Sequence, residues 1–155
     1  MAEQTILDFK AKFPRAKLLE GYGLSECSPV VAVNTPERQK ARSVGIALPG
    51  LEVKAVNDEL VEVPTGEVGE LIVKGGSVMQ GYLNMRDATD EAIVNGWLKT
   101  GDFVTIDEDG FIFIVDRKKD LIISKGQNVY PREIEEAIYK LDAVEAAAVI
   151  GVKDQ

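Results

Sequence analysis

Glu70-Leu71-Ile72-Val73-Lys74-Gly75-Gly76 is the stretch that decides the fold. Four residues of β-type character, Glu70–Val73, run into a Gly-Gly pair, and that pair can only be a turn or a loop. Outward in both directions the same unit repeats. Glu52–Val56 precedes it, closed by Asn57-Asp58, and Phe103–Ile106 and Phe111–Val115 follow it, separated by Asp109-Gly110. Pro49-Gly50 and Thr65-Gly66 supply further turns. Many short strands with glycine-rich turns predict an α+β, β-rich fold whose centre, about 44–115, is an antiparallel sheet or distorted barrel. A helix over about Ala88–Val94 interrupts it.

The flanks differ in period. Ile6, Phe9 and Phe13 stand at helical spacing in Thr5–Phe13, ahead of Pro14. Lys17–Glu20 reads as a strand running into Gly21-Tyr22-Gly23, and Val30–Val33 as a buried strand. After Asp116, Leu121–Ser124 reads as a strand. Pro131 then opens a helix with Ile134, Ile138 and Leu141 on one face and Glu133, Glu135 and Glu136 near its positive end. Val144–Val152 reads as a last strand. That β-α-β unit stops at Gln155 with no closing element, which reads as a cut inside a domain.

Composition excludes several classes. The 155 residues carry 18 basic and 26 acidic side chains, a net charge of −8, so a duplex nucleic acid is not the expected partner. One cysteine, Cys27, and no histidine rule out a disulfide framework and a zinc site of the usual kind. Cys27 reads as a packing residue. No stretch is long and apolar enough for a membrane span, and the N-terminus lacks a signal peptide's regions; the expected location is cytoplasmic. An acidic chain still binds ATP or CoA if basic groups and a bridging cation are placed locally, and Arg117-Lys118-Lys119 is the obvious candidate.

Three constellations could carry chemistry. Gly21-Tyr22-Gly23-Leu24-Ser25-Glu26 is a tight turn with a packing tyrosine on one reading. On another it offers an aromatic face for a base, a hydroxyl for a phosphate and a carboxylate for a cation. Asp102 in Thr100-Gly101-Asp102 is either a turn aspartate bonding local backbone, or an acceptor for ribose hydroxyls. Asp116-Arg117-Lys118-Lys119-Asp120, followed by Ile122 through Pro131, is a solvated run or a hinge between domains.

In their order and spacing these motifs, with Ser43-Val44-Gly45, Gly69-Glu70-Leu71, Gly81-Tyr82 and Gly96-Trp97, resemble the adenylate-forming (AMP-binding) superfamily. That group includes acyl-CoA and aryl-CoA synthetases, peptide-synthetase adenylation domains and firefly-type luciferases. The resemblance implies a chain taken from a longer enzyme: 1–116 from the distal part of a large AMP-binding domain, 117–155 a hinge and the start of a small C-terminal domain. It implies ATP, Mg2+ and CoA as cofactors and co-substrate, a carboxylic acid as substrate, and acyl-AMP as intermediate.

By resemblance Tyr22 would stack on adenine, Ser25 would contact phosphate, and Glu26 would ligate magnesium. Asp102 and Arg117 would meet the ribose, Gly21 and Gly23 would lie against the acyl group, and Gly126 would border the pantetheine path. Lys119 matches the hinge position. Many relatives carry threonine in place of Ser25, which keeps the hydroxyl. The phosphate loop expected upstream and the catalytic lysine expected downstream are not in this sequence, so the chain alone is expected to be inactive. Ser77–Asn84 and Ile123–Asn128 resemble acyl-CoA synthetases of the long-chain fatty acid branch, with peripheral membrane contact a further expectation for the whole protein. A 4-coumarate-type aryl-CoA ligase, or a non-catalytic binding module of the same fold, is the alternative.

Overall fold

The structure, a computed structural model, describes residues 3–141 and 143–152. Its elements in order are α1 (Glu3–Lys12), β1 (Gly21–Gly23), β2 (Val30–Val33), β3 (Ile46–Ala47), β4 (Leu51–Val56), β5 (Gly69–Gly75), α2 (Arg86–Ala92), β6 (Ile93–Val94), β7 (Trp97–Ile106), β8 (Ile112–Arg117), β9 (Ile122–Ser124), β10 (Gln127–Val129) and α3 (Pro131–Ile138). Short 3-10 turns cover Ser25–Cys27 and Lys118–Asp120. None of the helices described is long and apolar enough to cross a membrane.

The centre is the expected antiparallel sheet, curled into a half-barrel. β7 organises it. β5 pairs along one edge of this ten-residue strand, while the other edge takes β6 near its start and β8 near its end. β4 closes the far side of β5 with an unbroken register from Leu51↔Gly75 to Val56↔Glu70. β5 is buried from Gly69 to Val73, so its near-continuous apolar run reflects cover on both faces rather than a half-exposed alternation. Leu71, Val73, Ala55, Leu98, Val104 and Ile112 form one core with Cys27, Val31 and Ala32 of the smaller sheet β1-β2-β3. Cys27 is thus a core residue, as its sequence context suggests, and burial raises its thiol pKa.

A backbone seam joins the two sheets. The Val44 amide donates to the Ile112 carbonyl at 2.8 Å, and the Ile112 amide donates to the Gly45 carbonyl at 2.9 Å. Beside it lies a buried polar plug. The Asn34 side-chain amide donates to the Ser43 carbonyl (2.8 Å) and the Glu20 carbonyl (3.2 Å), and its oxygen accepts from Lys40 N and the Ser43 hydroxyl. Asn34→Ala removes the partner of several buried groups at once. The expected loss is about 2–3 kcal/mol, since each buried polar group left unpaired costs about 1–3 kcal/mol. A urea titration reads it as a lower midpoint at unchanged slope; an unchanged midpoint would show that the plug contributes nothing.

The structure corrects the sequence reading in four places. Lys17–Glu20 is irregular, and the strand is Gly21–Gly23 itself, because that is where the backbone meets β2 in register (Gly21↔Val33, Tyr22↔Ala32). The helix near 88–94 begins at Arg86 and ends at Ala92; Ile93 and Val94 instead pair with Leu98 and Trp97. Asn95-Gly96, with φ of 53° and 79°, makes the mirror-image two-residue turn between β6 and β7, a strong hairpin signal that the sequence reading passed over. Val144–Val152 forms no strand among the described residues. Its amides bond side chains of α3 and the residue that follows it: Val149 N donates to Glu135 Oε1 at 2.9 Å, and Ala147 N donates to the Tyr139 hydroxyl at 3.3 Å.

Candidate functional site

The tyrosine-to-glutamate turn and the Thr100-Gly101-Asp102 bend lie far apart in sequence and meet in one groove of about 990 Å³. Tyr22 sits on β1 and Asp102 on β7, and the Tyr22 hydroxyl donates to Asp102 Oδ2 at 2.6 Å. Burial, and then the hydrogen bond to Asp102, hold the phenol's pKa well above its ordinary value. Tyr22 is therefore a protonated donor at neutral pH, and it fixes one oxygen of Asp102 while the other faces Arg117.

Asp102 owes its placement to an irregularity in β7. Glu70 faces Phe103 and Ile72 faces Lys99, so β7 carries extra residues between those pairs. The excess is a bulge at Thr100-Gly101-Asp102, where Gly101 takes φ +74°. The bulge is held from within: Thr100 Oγ1 donates to the Leu71 carbonyl at 2.8 Å and accepts from Asp102 N at 3.2 Å. Asp102 pairs in register with Arg117 of β8, whose Nε lies 3.9 Å from Asp102 Oδ1. The Arg117 side chain is 62% exposed, so it is free to turn to a ligand.

Glu26 lies in the 3-10 turn after β1 and also lines the groove, while Cys27 beside it anchors that turn in the core. The Glu26 carbonyl accepts from Met79 N at 2.8 Å. Its carboxylate Oε1 accepts from the Tyr82 hydroxyl at 2.9 Å, and that bond to an anion raises the Tyr82 pKa. No group of three or more His, Cys, Asp or Glu side chains stands together among the described residues. A divalent cation here would rest on one carboxylate plus oxygens of a bound phosphate, and magnesium is commonly held so. Glu26 has that form: one oxygen oriented by Tyr82, the other not bonded by any described residue.

The remaining sequence candidates distribute as follows. Gly23 lines the groove, but Gly21 and Ser25, both exposed, do not. Lys119 is exposed on the second 3-10 turn and borders both this groove and a neighbouring cavity of about 930 Å³ beneath β9 and α3. Gly126 lies outside the groove, in an exposed hairpin turn where Lys125 and Gly126 take φ of 51° and 79°. The basic cluster is not free as a unit. Lys118 is exposed but tied to Asp58 at 2.8 Å and Glu70 at 2.9 Å, so its charge is already engaged.

Two polar groove residues, Arg132 and Glu135, lie outside all three sequence constellations, and Thr100 and Asp116 carry no individual role within theirs. Asp116 is 8% exposed, and its carboxylate accepts from the Arg117 amide (2.8 Å) and the Arg132 amide (3.0 Å). It thereby caps α3, whose own N-terminal flank offers no side-chain cap. A helix capped from another element carries no local sequence signature. Tyr82, which orients Glu26 from the groove's edge, was visible only as part of a Gly-Tyr pair.

A family model described as "AMP-binding enzyme" matches residues 1–83. The long-chain-fatty-acid–CoA ligase of Escherichia coli O6:H1 is 48% identical over 151 residues, covering 97% of this chain and 27% of the ligase. Among solved structures, the ATP-bound RpMatB-BxBclM chimera B3 aligns with a TM-score of 0.90 at 38% identity, over 96% of this chain and 30% of the chimera. O-succinylbenzoate coenzyme A synthetase from Bacillus subtilis, in complex with AMP, aligns with a TM-score of 0.85 at 35% identity, over 97% and 31%. The chain thus spans about a quarter of the length of the curated ligase it matches.

Proposed function

Because the chain belongs to the AMP-binding enzyme family, we propose that the protein containing it is an ATP-dependent acid–CoA ligase that activates a fatty acid as acyl-AMP. The observation that carries this reading is the meeting of Tyr22, Asp102 and Arg117 beside Glu26 in one groove. A carboxylate is a poor electrophile, whereas a mixed anhydride with AMP has a good leaving group. Catalysis of its formation is therefore chiefly positioning and charge stabilisation.

In this reading Asp102 accepts hydrogen bonds from the ribose hydroxyls, its orientation set by Tyr22 and its free oxygen flanked by Arg117. The ring of Tyr22 supplies a face for adenine. Glu26, aimed by Tyr82, would be the residue that holds a magnesium ion, which when bound would supply charge neutralisation for the leaving pyrophosphate. Ser25 offers its exposed hydroxyl to a phosphate. Gly21 and Gly23 border the acyl group, and Gly126 borders the pantetheine arm of CoA. Residues 1–116 then belong to the large domain and 117–155 to the hinge and small domain, with Lys119 as the pivot.

The relative named as a long-chain-fatty-acid–CoA ligase favours a fatty acyl substrate. Similarity to an o-succinylbenzoate–CoA synthetase keeps an aryl acid as the second reading. Pyrophosphate exchange by the full-length protein, with a long-chain fatty acid and a hydroxycinnamate in competition, tests both. Fatty-acid-dependent exchange followed by CoA-dependent AMP release is expected; exchange with neither acid would overturn the ligase reading. The 155-residue chain alone is expected to show no carboxylate-dependent pyrophosphate release.

A further inference from the structure

We propose that Glu70, buried behind the groove, is the positioning residue that aims Asp102. The inference rests on the ribose reading of Asp102 given above. Glu70 is 4% exposed, the second residue of β5 and the one charged side chain in its buried stretch Gly69–Val73. A carboxylate in that setting is costly unless both of its oxygens are engaged, and both are. Oε1 accepts from the Gly101 amide at 3.2 Å, and Oε2 accepts from the Lys118 ammonium at 2.9 Å, which also meets Asp58.

The two partners are chemically informative. Gly101 is the central residue of the bulge that turns Asp102 into the groove, and at φ +74° its amide lies where the β5–β7 register breaks. With Gly101 N on Glu70 and Asp102 N on Thr100 Oγ1, two consecutive bulge amides end on side-chain acceptors. Lys118 directly follows Arg117, the strand partner of Asp102. Glu70 therefore holds the backbone amide just before Asp102 and the side chain just after Arg117, while touching neither side chain of that pair and lining no part of the groove. A residue needed only for packing would serve better as leucine or valine. The carboxylate is explained by what it holds.

The test uses the full-length protein and compares ATP with 2′-deoxy-ATP and 3′-deoxy-ATP. A hydrogen bond to a charged acceptor predicts that the parent protein prefers ATP by about tenfold or more. Glu70→Leu is expected to reduce that preference to below about threefold and to raise KM for ATP, with KM for the carboxylic acid unchanged. Glu70→Gln keeps an acceptor for Gly101 N and should retain the preference. If Glu70→Leu does not fold, the double variant Glu70→Leu/Lys118→Met removes the buried carboxylate together with its partner charge, so that neither is left unpaired by the other's loss, and carries the same expectation. A folded leucine variant, single or double, that discriminates as the parent does would overturn the role of Glu70. A parent protein without discrimination would instead overturn the ribose reading itself, and the inference with it.

Discussion

Gly23→Ala is expected to remove the nucleotide site and to destabilise the protein by about 3–5 kcal/mol, above the usual range for overpacking. A methyl group at Gly23 would lie 1.8 Å from the Pro29 carbonyl oxygen, 2.7 Å from the Pro29 carbonyl carbon and 2.9 Å from Val30 Cα. All three are backbone atoms, so no rotamer change relieves the clash. Gly23 pairs with Val30 at a register shift between β1 and β2, and the only relief is for β1 to move away from β2. Tyr22 moves with it, and its bond to Asp102 is lost. A denaturant titration should show the lower midpoint, and AMP binding should fall below detection. A variant with the parent's midpoint would mean that the two strands separate at little cost.

The second large effect belongs to Asp102. Asp102→Ala is expected to weaken AMP and ATP binding by about 100-fold or more, from the loss of charged hydrogen bonds worth about 1.5–3 kcal/mol each. The Tyr22 hydroxyl is left half-buried without its acceptor, which adds a stability loss of about 1–2 kcal/mol. Tyr22→Phe/Asp102→Ala removes both halves of that bond and should recover most of the stability while leaving nucleotide affinity low. Titration calorimetry with AMP, alongside urea melts, separates the two contributions. If affinity fell only in proportion to stability, Asp102 would be a structural acceptor alone.

How much of this was legible beforehand follows from the range of each signal. Glycine-punctuated β runs act within a few residues, so the central antiparallel sheet could be read directly. β7 was read only in its second half, because its first half contains the Thr100-Gly101-Asp102 bulge and lacks strand periodicity. At β1 the apolar pair Leu18-Leu19 draws the expected strand to Lys17–Glu20; pairing partners, not hydrophobicity, decide where the strand lies. Val144–Val152 has strand composition but pairs with no strand among the described residues. At the site, Tyr22, Glu26, Asp102 and Arg117 could be named one by one. The Tyr22–Asp102 bond across 80 residues could not, nor could Glu70, which in sequence is one more charged residue beside a β run.

The seam between the sheets has a consequence in time as well as in space. Val44 and Gly45 find their partner, Ile112, on the order of seventy residues later in the chain. At synthesis rates of about 5–20 residues per second, that interval lasts on the order of several seconds. Through it the smaller sheet leaves the ribosome without its mate, the amide of Val44 still bonded to water and the apolar sides of Val31 and Ala32 uncovered. The Asn34 plug needs only residues 20 to 43, all of which have by then been made. A local clasp of this kind can hold the newborn strands in shape until the late-arriving half of the molecule closes over them.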